Sequence, residues 1–412
     1  MEWKEQELAS ICDLQNGHAF KSKDYIEDSN TMNCRMSNIR PNGKFDLDYA
    51  PKYLPNNFAE KYSKYLLKDG DLIIAMTDMA TDPKILGVPT LVETKGKNLL
   101  LNQRVGKMVF DNAKIDKSYL QYVLNRNSVK KYYTKFAGGG LQLNLGKKEL
   151  LSVKIPLPPL PIQKKIAAIL DATDEYRQKT KALLEKYDQL TQSIFLDMFG
   201  DPVRNEKGWE VKKMGNLSTK ILSGNTPKGG KKVYVQKGIT FFRSQNVWRN
   251  RIDLDDVAFI DDTTHSKMKN SSLMNGDILM TKTGRFNTEN SSLGRAAMYI
   301  GEDNQANVNG HVYLIRLKED ILNEYVLYIL TTIQFRDHIR RVCVGGIDKR
   351  QLNKGHLEDF PIIRPPIKMQ NRFVEQLRVL KKQKLTLQEN LLKSEELFQS
   401  LLQKAFKGEL VK

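Results

Sequence analysis

The stretch from Ile162 to Phe199, IQKKIAAILDATDEYRQKTKALLEKYDQLTQSIFLDMF, contains no glycine or proline and repeats apolar or small residues in alternating steps of three and four. The predicted apolar seam consists of Ile166, Ile169, Thr173, Tyr176, Thr180, Leu183, Tyr187, Leu190 and Ile194. Five such heptads predict a coiled-coil helix of roughly 55–60 Å, at 1.5 Å per residue, and the run Gly200-Asp201-Pro202 ends it.

A second stretch, from about Ile367 to Phe406, has the same pattern. Its predicted seam consists of Phe373, Leu377, Leu380, Lys384, Leu387, Leu391, Ser394, Phe398, Leu401 and Ala405. Two helices that each carry one apolar stripe hide it most simply against each other. We therefore expect an antiparallel pair, forming a rod with one domain at each end and a pseudo-two-fold axis. The alternative is that each helix packs on its own domain.

The segments outside these helices also repeat. Gly70-Asp71-Leu72-Ile73 recurs as Gly276-Asp277-Ile278-Leu279, and Trp3 recurs as Trp209, both at an interval of 206 residues. Further matching pairs are Arg35 to Ile39 with Arg243 to Val247, Asn102 to Val105 with Asn309 to Val312, Leu143 to Gly146 with Leu352 to Gly355, and Pro158-Pro159 with Pro365-Pro366. Solenoid repeats are only about 20–50 residues long, so this interval indicates a duplicated unit of one domain plus one helix.

The repeats predict an α+β fold, with two homologous mixed α/β domains joined by two long antiparallel coiled-coil helices. The expected segments are 1–158 for the first domain, 159–200 for the first helix, 201–365 for the second domain and 366–412 for the second helix. Within the first domain we predict one helix from Lys117 to Tyr132. The run Pro156 to Pro161 excludes a helix or a central strand, and we interpret it as a stiff strap leading into the first long helix.

The chain is strongly basic, with a formal net charge of +18 and a pI near 9.5. Such an excess attracts polyanions, and nucleic acid is the first candidate. The alternative is an excess spread evenly for solubility. Because the basic residues alternate with Asn, Gln, Ser and Gly in loops and form no basic tail, the pattern favours a folded binding surface.

The composition also indicates where the protein works. No stretch approaches the roughly 20 apolar residues of a membrane helix, and the first residues do not resemble a signal peptide. The three cysteines, Cys12, Cys34 and Cys343, form no CxxC motif. We therefore expect a cytoplasmic protein without a membrane partner.

Motifs of catalytic and metal sites are missing from the sequence. The five histidines are scattered without an HxxH or HExxH spacing, so no metal site is expected. There is no GxSxG, no GxGxxG after a strand, and no Asn/Asp-Pro-Pro-Tyr of the kind found in amino-methyltransferases. We therefore predict that the chain has no catalytic residues and is not an enzyme on its own.

The ordered, duplicated motifs resemble the specificity subunit of Type I restriction–modification systems, over essentially the whole chain. The motifs that carry the resemblance are Lys68 to Ile73 with Asn275 to Leu279, PLPPLPIQ at 156–163, LTQSIFLDMFGD at 190–201 and FQSLLQKAFKGEL at 398–410. The resemblance implies that each domain is a target recognition domain reading one half of a split, asymmetric sequence in double-stranded DNA. It also implies that the helices set the spacer length and dock two modification subunits.

The same resemblance places the chemistry on partner subunits. The modification subunits would bind S-adenosylmethionine and methylate adenine, and restriction subunits would use ATP and Mg²⁺ to translocate and cut DNA. No cofactor is expected in this chain.

Sequence-selective binding requires donors and acceptors for base edges as well as cations for phosphates. In the first half the candidate DNA-binding residues, all in the duplicated loops, are Lys21, Arg35, Asn38, Arg40, Gln103, Arg104, Gln142 and Asn144. In the second half they are Lys228, Lys231, Arg243, Gln245, Asn246, Arg249, Lys282, Arg285, Lys349, Arg350 and Gln351. Any one of them could instead be a surface charge or a turn-capping amide. Because the loops of the two halves differ, we expect a non-palindromic target.

Three other interpretations remain open. The chain could be the recognition subunit of a related system in which one polypeptide combines cutting and methylation. It could be a non-enzymatic coiled-coil scaffold whose basic domains bind RNA or acidic proteins. A stand-alone enzyme is the third, and it lacks a recognisable catalytic constellation.

Overall fold

The computed structural model describes residues 3–136, 140–286, 290–346 and 348–411. They form two compact units. Unit 1 is the chain up to Lys181 together with the part from Glu389 onward, and unit 2 is Ala182–Gln388. Each unit contains one mixed domain and part of both long helices, so the predicted α+β class with two homologous domains is confirmed.

The strands of unit 1 form two larger sheets and two ribbons. They are β1 (Glu5–Glu7), β2 (Cys12–Asn16), β3 (Thr31–Cys34), β4 (Tyr53–Leu54), β5 (Leu66–Leu67), β6 (Leu72–Ala75), β7 (Thr77–Met79), β8 (Pro89–Leu91), β9 (Asn98–Leu101), β10 (Val105–Phe110), β11 (Gln142–Asn144) and β12 (Lys154–Pro156). The sheet orders are β2-β10-β6-β8 and β4-β3-β9-β5, and the ribbons are β1-β12 and β7-β11.

The strands of unit 2 follow the same plan. They are β13 (Val211–Lys213), β14 (Ser218–Ser223), β15 (Ile239–Phe242), β16 (Val247–Trp248), β17 (Arg251–Ile252), β18 (Ala258–Ile260), β19 (Ile278–Thr281), β20 (Thr283–Gly284), β21 (Ala296–Met298), β22 (Ala306–Val308), β23 (Val312–Leu317), β24 (Val344–Gly345), β25 (Arg350–Gln351) and β26 (Pro361–Ile363). They pair as β14-β23-β19-β21, β18-β15-β22, β20-β25-β24, β13-β26 and β16-β17.

The two units share an unusual parallel pair. β3 runs parallel to β9 in unit 1, and β15 runs parallel to β22 in unit 2, whereas the other pairings of these strands are antiparallel. The order β2-β10-β6-β8 also equals β14-β23-β19-β21 strand for strand. The duplication seen in the sequence is therefore a duplication of topology.

The apolar run after each Gly-Asp turn is buried on both faces of its sheet. Successive side chains of a strand point to opposite faces. In β6, Leu72 and Ile74 pack with the helices of unit 1, while Ile73 and Ala75 pack against the second sheet. In β19, Ile278 likewise packs with the helices of unit 2, and Leu279 packs against the other side of its sheet. The strand thus joins two cores, which explains why it is apolar without alternation.

The helices are mostly short apart from the two long ones. They are α1 (Phe58–Lys61), α2 (Lys117–Leu124), α3 (Asn127–Phe136), α4 (Lys147–Leu151), α5 (Leu160–Phe199), α6 (Met214–Leu217), α7 (Asp262–Lys267), α8 (Asn323–Thr331), α9 (Ile333–Val342), α10 (Lys354–Glu358) and α11 (Ile367–Lys407). The single helix predicted from Lys117 to Tyr132 is wrong, because the chain breaks into α2 and α3 after Leu124. Asn125, Asn127 and Ser128 are weak helix formers, and the same break separates α8 from α9 at Thr332.

The predicted antiparallel pairing of the long helices is confirmed within each unit. In unit 1, Arg177 of α5 forms an ion pair with Glu395 of α11. In unit 2, Asp188 of α5 pairs with Lys384 of α11. Within unit 1, Arg177 also contacts Phe398 while Lys181 pairs with Glu395. Within unit 2, Phe195 packs on Phe373. In each unit, the residue number therefore falls along α11 as it rises along α5.

The predicted seam of α11 is confirmed, since all of its positions are buried or half-buried. The seam predicted for α5 is half wrong. Ile166, Thr173, Thr180, Tyr187 and Ile194 lie on the packed face, but Ile169, Tyr176, Leu183 and Leu190 are 36–51% exposed. The packed positions are one residue later, at Leu170, Arg177, Leu184 and Thr191. The charged Arg177 is stabilised on this packed face by two contacts. Its guanidinium lies 4.3 Å from the ring of Phe398, and it forms an ion pair with Glu395.

A buried glutamine anchors the start of each long helix to its domain. The Gln163 side-chain amide donates to the carbonyls of Pro158 and Lys114 and accepts from the Asp116 N–H. Gln370 repeats this arrangement, donating to the carbonyl of Pro365 (2.8 Å) and accepting from the Leu322 N–H (3.1 Å). Both glutamines are 1% exposed. The start of the helix is therefore fixed by hydrogen bonds as well as by proline. The prediction that the whole run Pro156 to Pro161 excludes a helix is wrong at its end, because α5 begins at Leu160 and the first turn of a helix tolerates Pro161.

The duplicated tryptophans bind the last turns of the long helices. The indole N–H of Trp3 donates to the Ala405 carbonyl of α11 at 3.0 Å, and that of Trp209 donates to the Phe199 carbonyl of α5 at 2.9 Å. Carbonyls in a last helical turn lack partners within the helix, so each tryptophan satisfies one of them.

The described residues contain neither a candidate membrane-spanning helix nor a candidate metal-binding cluster. No helix there is both long and apolar enough to cross a membrane. No group of three or more His, Cys, Asp or Glu side chains there is arranged to hold a metal ion.

Candidate nucleic-acid interface

The parallel strand pair brings the candidate loops of unit 1 to one edge. Cys34 and Leu101 are register partners at the ends of β3 and β9, so the segments that follow them lie side by side. The Asn102 N–H donates to the Cys34 carbonyl at 3.0 Å, and the Gln103 N–H donates to the His18 carbonyl at 3.0 Å. The loops after β2, β3 and β9 therefore meet at this place, which we call edge 1.

The ribbon β7-β11 completes edge 1. The Met76 N–H donates to the Arg104 carbonyl at 3.0 Å, and the Leu145 N–H donates to the Met76 carbonyl at 2.8 Å. In the ribbon, Thr77 faces Asn144, and the Thr77 hydroxyl donates to the Asn144 side-chain oxygen at 3.1 Å. A two-stranded ribbon is narrow enough to enter the major groove of DNA.

Unit 2 builds an equivalent edge from the same elements, which we call edge 2. The Asn309 N–H donates to the Phe242 carbonyl, joining the ends of β15 and β22, at 2.9 Å. The Lys282 N–H donates to the His311 carbonyl, and the Leu352 N–H donates to the Lys282 carbonyl, both at 2.9 Å. The ribbon here has three strands, in the order β20-β25-β24.

A glycine allows the loop after β2 or β14 to reach each edge. A Cβ at Gly17 would lie 2.3 Å from the Asn102 carbonyl, and a Cβ at Gly224 would lie 1.9 Å from the Val308 oxygen. These distances are far below van der Waals contact, so only glycine fits. This requirement for glycine was not predicted from the sequence, although Gly17 and Gly224 occupy matching positions after β2 and β14.

Edge 1 gathers most of the candidates of the first half. Gln103, Arg104 and Asn144 are exposed, and Arg35 and Gln142 are half-buried. Lys21 and Arg40 lie further out in these loops. Lys21 is exposed at the start of a short turn, where its N–H donates to Asp24, and the Arg40 guanidinium stacks 3.9 Å from the ring of Tyr49.

Edge 2 gathers the ribbon candidates of the second half. Lys282, Arg350 and Gln351 are half-buried on the ribbon, and Arg285 and Lys349 are exposed beside it. The Arg350 guanidinium lies 4.7 Å from the Phe286 ring and donates to the Cys343 carbonyl at 3.1 Å, so its position is fixed before any ligand binds. Lys228 and Lys231 are exposed in the loop after β14.

Two candidate asparagines hold loops together instead of facing solvent. Asn38 is 3% exposed, accepts from the Arg35 N–H at 2.8 Å and donates to the Asp46 carbonyl at 3.0 Å. Asn246 is 1% exposed, accepts from the Arg243 N–H and donates to the carbonyls of Asp253 and Asp256. The structure gives both amides a loop-fixing role, because their hydrogen-bonding capacity is used internally.

A carboxylate at edge 2 holds two of the candidates. Asp256 accepts from the Gln245 amide at 2.5 Å and forms an ion pair with Arg243 at 3.1 Å. The hydrogen bond and the charge of Arg243 lower the pKa of Asp256, with Gln245 contributing as well. Asp256 therefore stays ionised at neutral pH and orients both side chains.

Arg249 belongs to an arginine group that sequence reasoning missed. The group lines one small cleft of unit 2 and also contains Arg295, Arg336 and Arg340. Arg295 stacks 3.8 Å from the ring of Trp248, and burial lowers its pKa. Arg336 and Arg340 are four residues apart on α9, a spacing that places them on one helix face. That spacing is visible in the sequence and could have identified them.

Comparisons with known proteins agree with the duplicated plan. Residues 1–186 and 206–395 match the family model described as the Type I restriction modification DNA specificity domain. The MjaVIII specificity subunit of Methanocaldococcus jannaschii is 31% identical over 199 residues, 47% of this chain and 45% of that protein. The EcoKI specificity subunit of Escherichia coli is 23% identical over an alignment of 441 positions, covering 99% of this chain and 89% of that protein.

Solved structures share the fold at low identity. The S subunit of a Type I restriction–modification system from M. genitalium superposes with a TM-score of 0.61 at 14% identity, covering 98% of this chain and 96% of that one. A chain from a study of complex assembly and conformational transition of the type I R-M system gives a TM-score of 0.53 at 17% identity, covering 99% and 98%.

Proposed function

The chain belongs to the Type I restriction–modification DNA specificity family, and we propose that edge 1 and edge 2 each read one part of a split DNA target. The observation that carries this proposal is the duplicated edge. Both units bring the same loops and a ribbon to the ends of a parallel strand pair, but they present different side chains there. One chain can therefore serve as the DNA-specificity subunit for two unlike half-sites.

The side chains at the edges have the chemistry that base reading requires. Arginine donates two hydrogen bonds to guanine, and glutamine or asparagine pairs with adenine, in the major groove. Edge 1 offers Gln103, Arg104 and Gln142, and edge 2 offers Arg350 and Gln351. We propose that the ribbons enter the groove and that the exposed lysines beside them, such as Lys349, bind phosphates. The net charge of +18 supports attraction to the duplex.

We propose that the paired long helices set the distance between the half-sites. α5 is one uninterrupted helix from Leu160 to Phe199, and helices without breaks are stiff at this length. Readers about 34–36 Å apart, one turn of DNA, meet the same face of the duplex. The helix length would then appear in the target as the number of unread base pairs.

The assembly partners follow from exposed apolar residues on α5. Ile169 and Tyr176 in unit 1, and Leu183 and Leu190 in unit 2, are 36–51% exposed and recur every seven residues. Apolar stripes with this period are typical of helix-docking surfaces. We propose that two modification subunits dock on them and that restriction subunits join the complex. We propose that S-adenosylmethionine, ATP and Mg²⁺ bind to these partner subunits.

A matched pair of insertions tests the reading and the spacing together. Seven helical residues are inserted between Lys181 and Ala182 and seven between Gln388 and Glu389, which keeps α5 and α11 in register. A heptad adds about 10 Å, the length of about three base pairs. We expect the methylated motif of a host carrying the assembled system to keep both half-sites and gain about three unread base pairs. An unchanged spacer would contradict the role of the helices, and a host methylome without a split motif would contradict the whole proposal.

A further inference from the structure

Unit 1 contains a cleft of about 740 Å³ beside its long helices. Its walls are formed by the turn Pro41–Lys44, the end of α2 with the start of α3, residues 171–181 of α5 and residues 398–407 of α11. The volume lies within the roughly 300–1,000 Å³ typical of binding clefts. The turn Pro41–Lys44 belongs to the loop after β3, whose start contributes to edge 1, and the other walls belong to helices or the connection between them.

The floor of the cleft is apolar and aromatic. It is made by Phe398, Leu402 and Phe406 of α11 together with Tyr122 of α2. The rings of Tyr122 and Phe398 are 6.1 Å apart, and Leu402 and Phe406 are only half-buried. An apolar floor of this kind suits a protein side chain better than a sugar–phosphate backbone.

The rim of the cleft is basic and partly desolvated. Its cations are Lys44, Arg126, Lys130, Arg177, Lys181 and Lys407, against the carboxylates of Asp171 and Asp174. Burial lowers the pKa of Arg126 and of Lys130. Both donate to backbone carbonyls, Arg126 to Val123 at 3.0 Å and Lys130 to Pro41 at 3.4 Å. Carboxylates arriving in the cleft would offset the cost of burying these charges.

Two buried polar atoms at the cleft also lack partners. The side-chain oxygen of Asn125 and the Nε of Arg177 have no hydrogen-bond partner among the described residues. Buried polar groups in native proteins are nearly always satisfied, so each such atom requires an explanation. A bound segment that reaches the cleft would supply the missing hydrogen-bond partners.

The corresponding place in unit 2 is built differently. Phe195 takes the position of Leu402, and its ring packs 4.9 Å from Tyr328 and 5.3 Å from Phe373. Thr332 takes the position of Arg126 and caps α9. Arg336 takes the position of Lys130, so the two places differ in the aromatic filling of unit 2 and in its lack of the Arg126 charge.

We propose that the unit 1 cleft is a docking site for an acidic segment of one modification subunit, which lays an apolar side chain on Leu402 and Phe406 and presents carboxylates to Arg126 and Lys130. This inference rests on the proposed assembly and adds that the two modification subunits bind non-equivalently. The copy on unit 1 makes a contact that the copy on unit 2 lacks.

The test uses the full chain co-purified with its modification subunit. Lys130→Glu reverses one rim charge, while Lys131→Glu makes the same change at the next, exposed residue, which does not line the cleft. For Lys130→Glu we expect the dissociation constant of one modification subunit to rise at least tenfold, typical of a disrupted charge pair at an interface. Native mass spectrometry should then show complexes that have lost one copy, and Lys131→Glu should retain both.

Other outcomes overturn the inference. Equal behaviour of the two variants, or equal loss of both copies, contradicts a unit 1 contact, provided that thermal melts show both variants folded. If Lys130→Glu keeps both copies and instead weakens duplex DNA binding with a shallower salt dependence, the cleft binds DNA. If the wild-type chain binds no modification subunit at all, the proposed assembly fails, which is a distinct result.

Discussion

Units 1 and 2 keep the same internal framework while their edges differ. Asp71 and Asp277 each follow a glycine with positive φ, each accept the N–H of the residue three positions earlier, and each pair with a cation, Lys107 or Arg316. The ribbon strands differ, by contrast. Asp78 in β7 fixes the segment that follows this strand, because its carboxylate accepts the Ile85 and Leu86 N–H groups. In β20 the position that matches Asp78 is Gly284, whose backbone closely approaches the Leu293 nitrogen.

This difference teaches where the fold tolerates change. Buried polar contacts of the framework cost stability when one partner is lost, so they must be kept together. The edges are exposed and held by local contacts, so their side chains can change without unfolding the unit. The side chains that would read DNA can therefore change while the buried framework stays the same. The predictions below test whether framework and edges behave independently.

The largest effect is expected at the Gly-Asp turn of unit 2. Asp277 is 2% exposed and binds Arg316 through two hydrogen bonds of 2.7 and 2.8 Å. Asp277→Ala leaves a partly buried guanidinium unpaired and should lower the free energy of unfolding by about 3 kcal/mol. In unit 1 the Asp71–Lys107 pair is 18–22% exposed, so Asp71→Ala should cost only about 1–2 kcal/mol. Urea unfolding combined with hydrogen exchange resolves the two units, and equal losses would contradict the burial argument.

The helix anchors should behave alike in the two units. Gln163→Leu leaves the Asp116 N–H without its acceptor, and Gln370→Leu does the same to the Leu322 N–H. Each substitution should lower the free energy of unfolding by about 1–3 kcal/mol, the cost of an unsatisfied buried group. The same hydrogen-exchange measurement should place each loss in the unit that carries the substitution. A large loss of unfolding free energy for one substitution and none for the other would show that the two units do not anchor their helices in the same way.

A third prediction concerns the edges. Asp256→Asn removes the charge that orients Arg243 and Gln245, and it should relax selectivity at the second half-site by roughly tenfold at one base position. The first half-site should stay unchanged, because Asp256 and the two side chains that it orients all belong to unit 2. Competition binding with single-base variants of the target measures both. Relaxed reading of both halves would argue against independent edges.

The smallest effect is expected between the long helices. Glu395 is 34% exposed and pairs with Arg177 and Lys181, whereas Asp188 is 69% exposed and pairs with Lys384. Glu395→Gln should therefore cost about 1 kcal/mol and Asp188→Asn at most about 0.5 kcal/mol, since exposed pairs contribute little. Urea midpoints of the two variants give the comparison, and a larger cost for Asp188→Asn would contradict it.

The Glu395 contribution should also depend on pH. Burial acts to raise the pKa of Glu395, but hydrogen bonds from Lys181 and Arg177 outweigh it, so the pKa falls below its usual 4.5. A carboxylate with a lowered folded-state pKa stabilises the protein above its unfolded-state pKa and loses that effect as pH falls through the folded-state value. The cost of Glu395→Gln should therefore be present at pH 7 and disappear as the pH falls through the lowered pKa of Glu395.

The framework could be predicted from sequence because repetition reveals it. Trp3 and Trp209, the two Gly-Asp turns and the proline straps occur twice in the same order, and each pair makes equivalent contacts. The seam of α5 was half wrong because Arg177 and Thr191 occupy packed positions while Ile169 and Leu190 remain exposed. Hydrophobic periodicity cannot anticipate an arginine that is buried by stacking on Phe398.

The prediction that all candidate residues lie in loops is wrong for four of them, since Gln142 and Asn144 lie on β11 and Arg350 and Gln351 lie on β25. Asn38 and Asn246 have the amides expected of base-reading residues, yet both are consumed by backbone groups of their own loops. An exposed and an internally bonded asparagine look identical in a sequence. The arginine group around Arg249 and the glycine contacts at Gly17 depend on segments far apart in the chain, so only the folded structure brings them together.

The exchange of one edge tests the central claim most directly. Residues 209–365 are replaced by the corresponding domain of a relative, and the methylated motif is determined by sequencing the DNA of a host that carries the assembled system. Because each edge is built within its own unit, we expect one half of the motif to change while the other half and the spacer stay the same. A motif altered in both halves would contradict independent reading by edge 1 and edge 2.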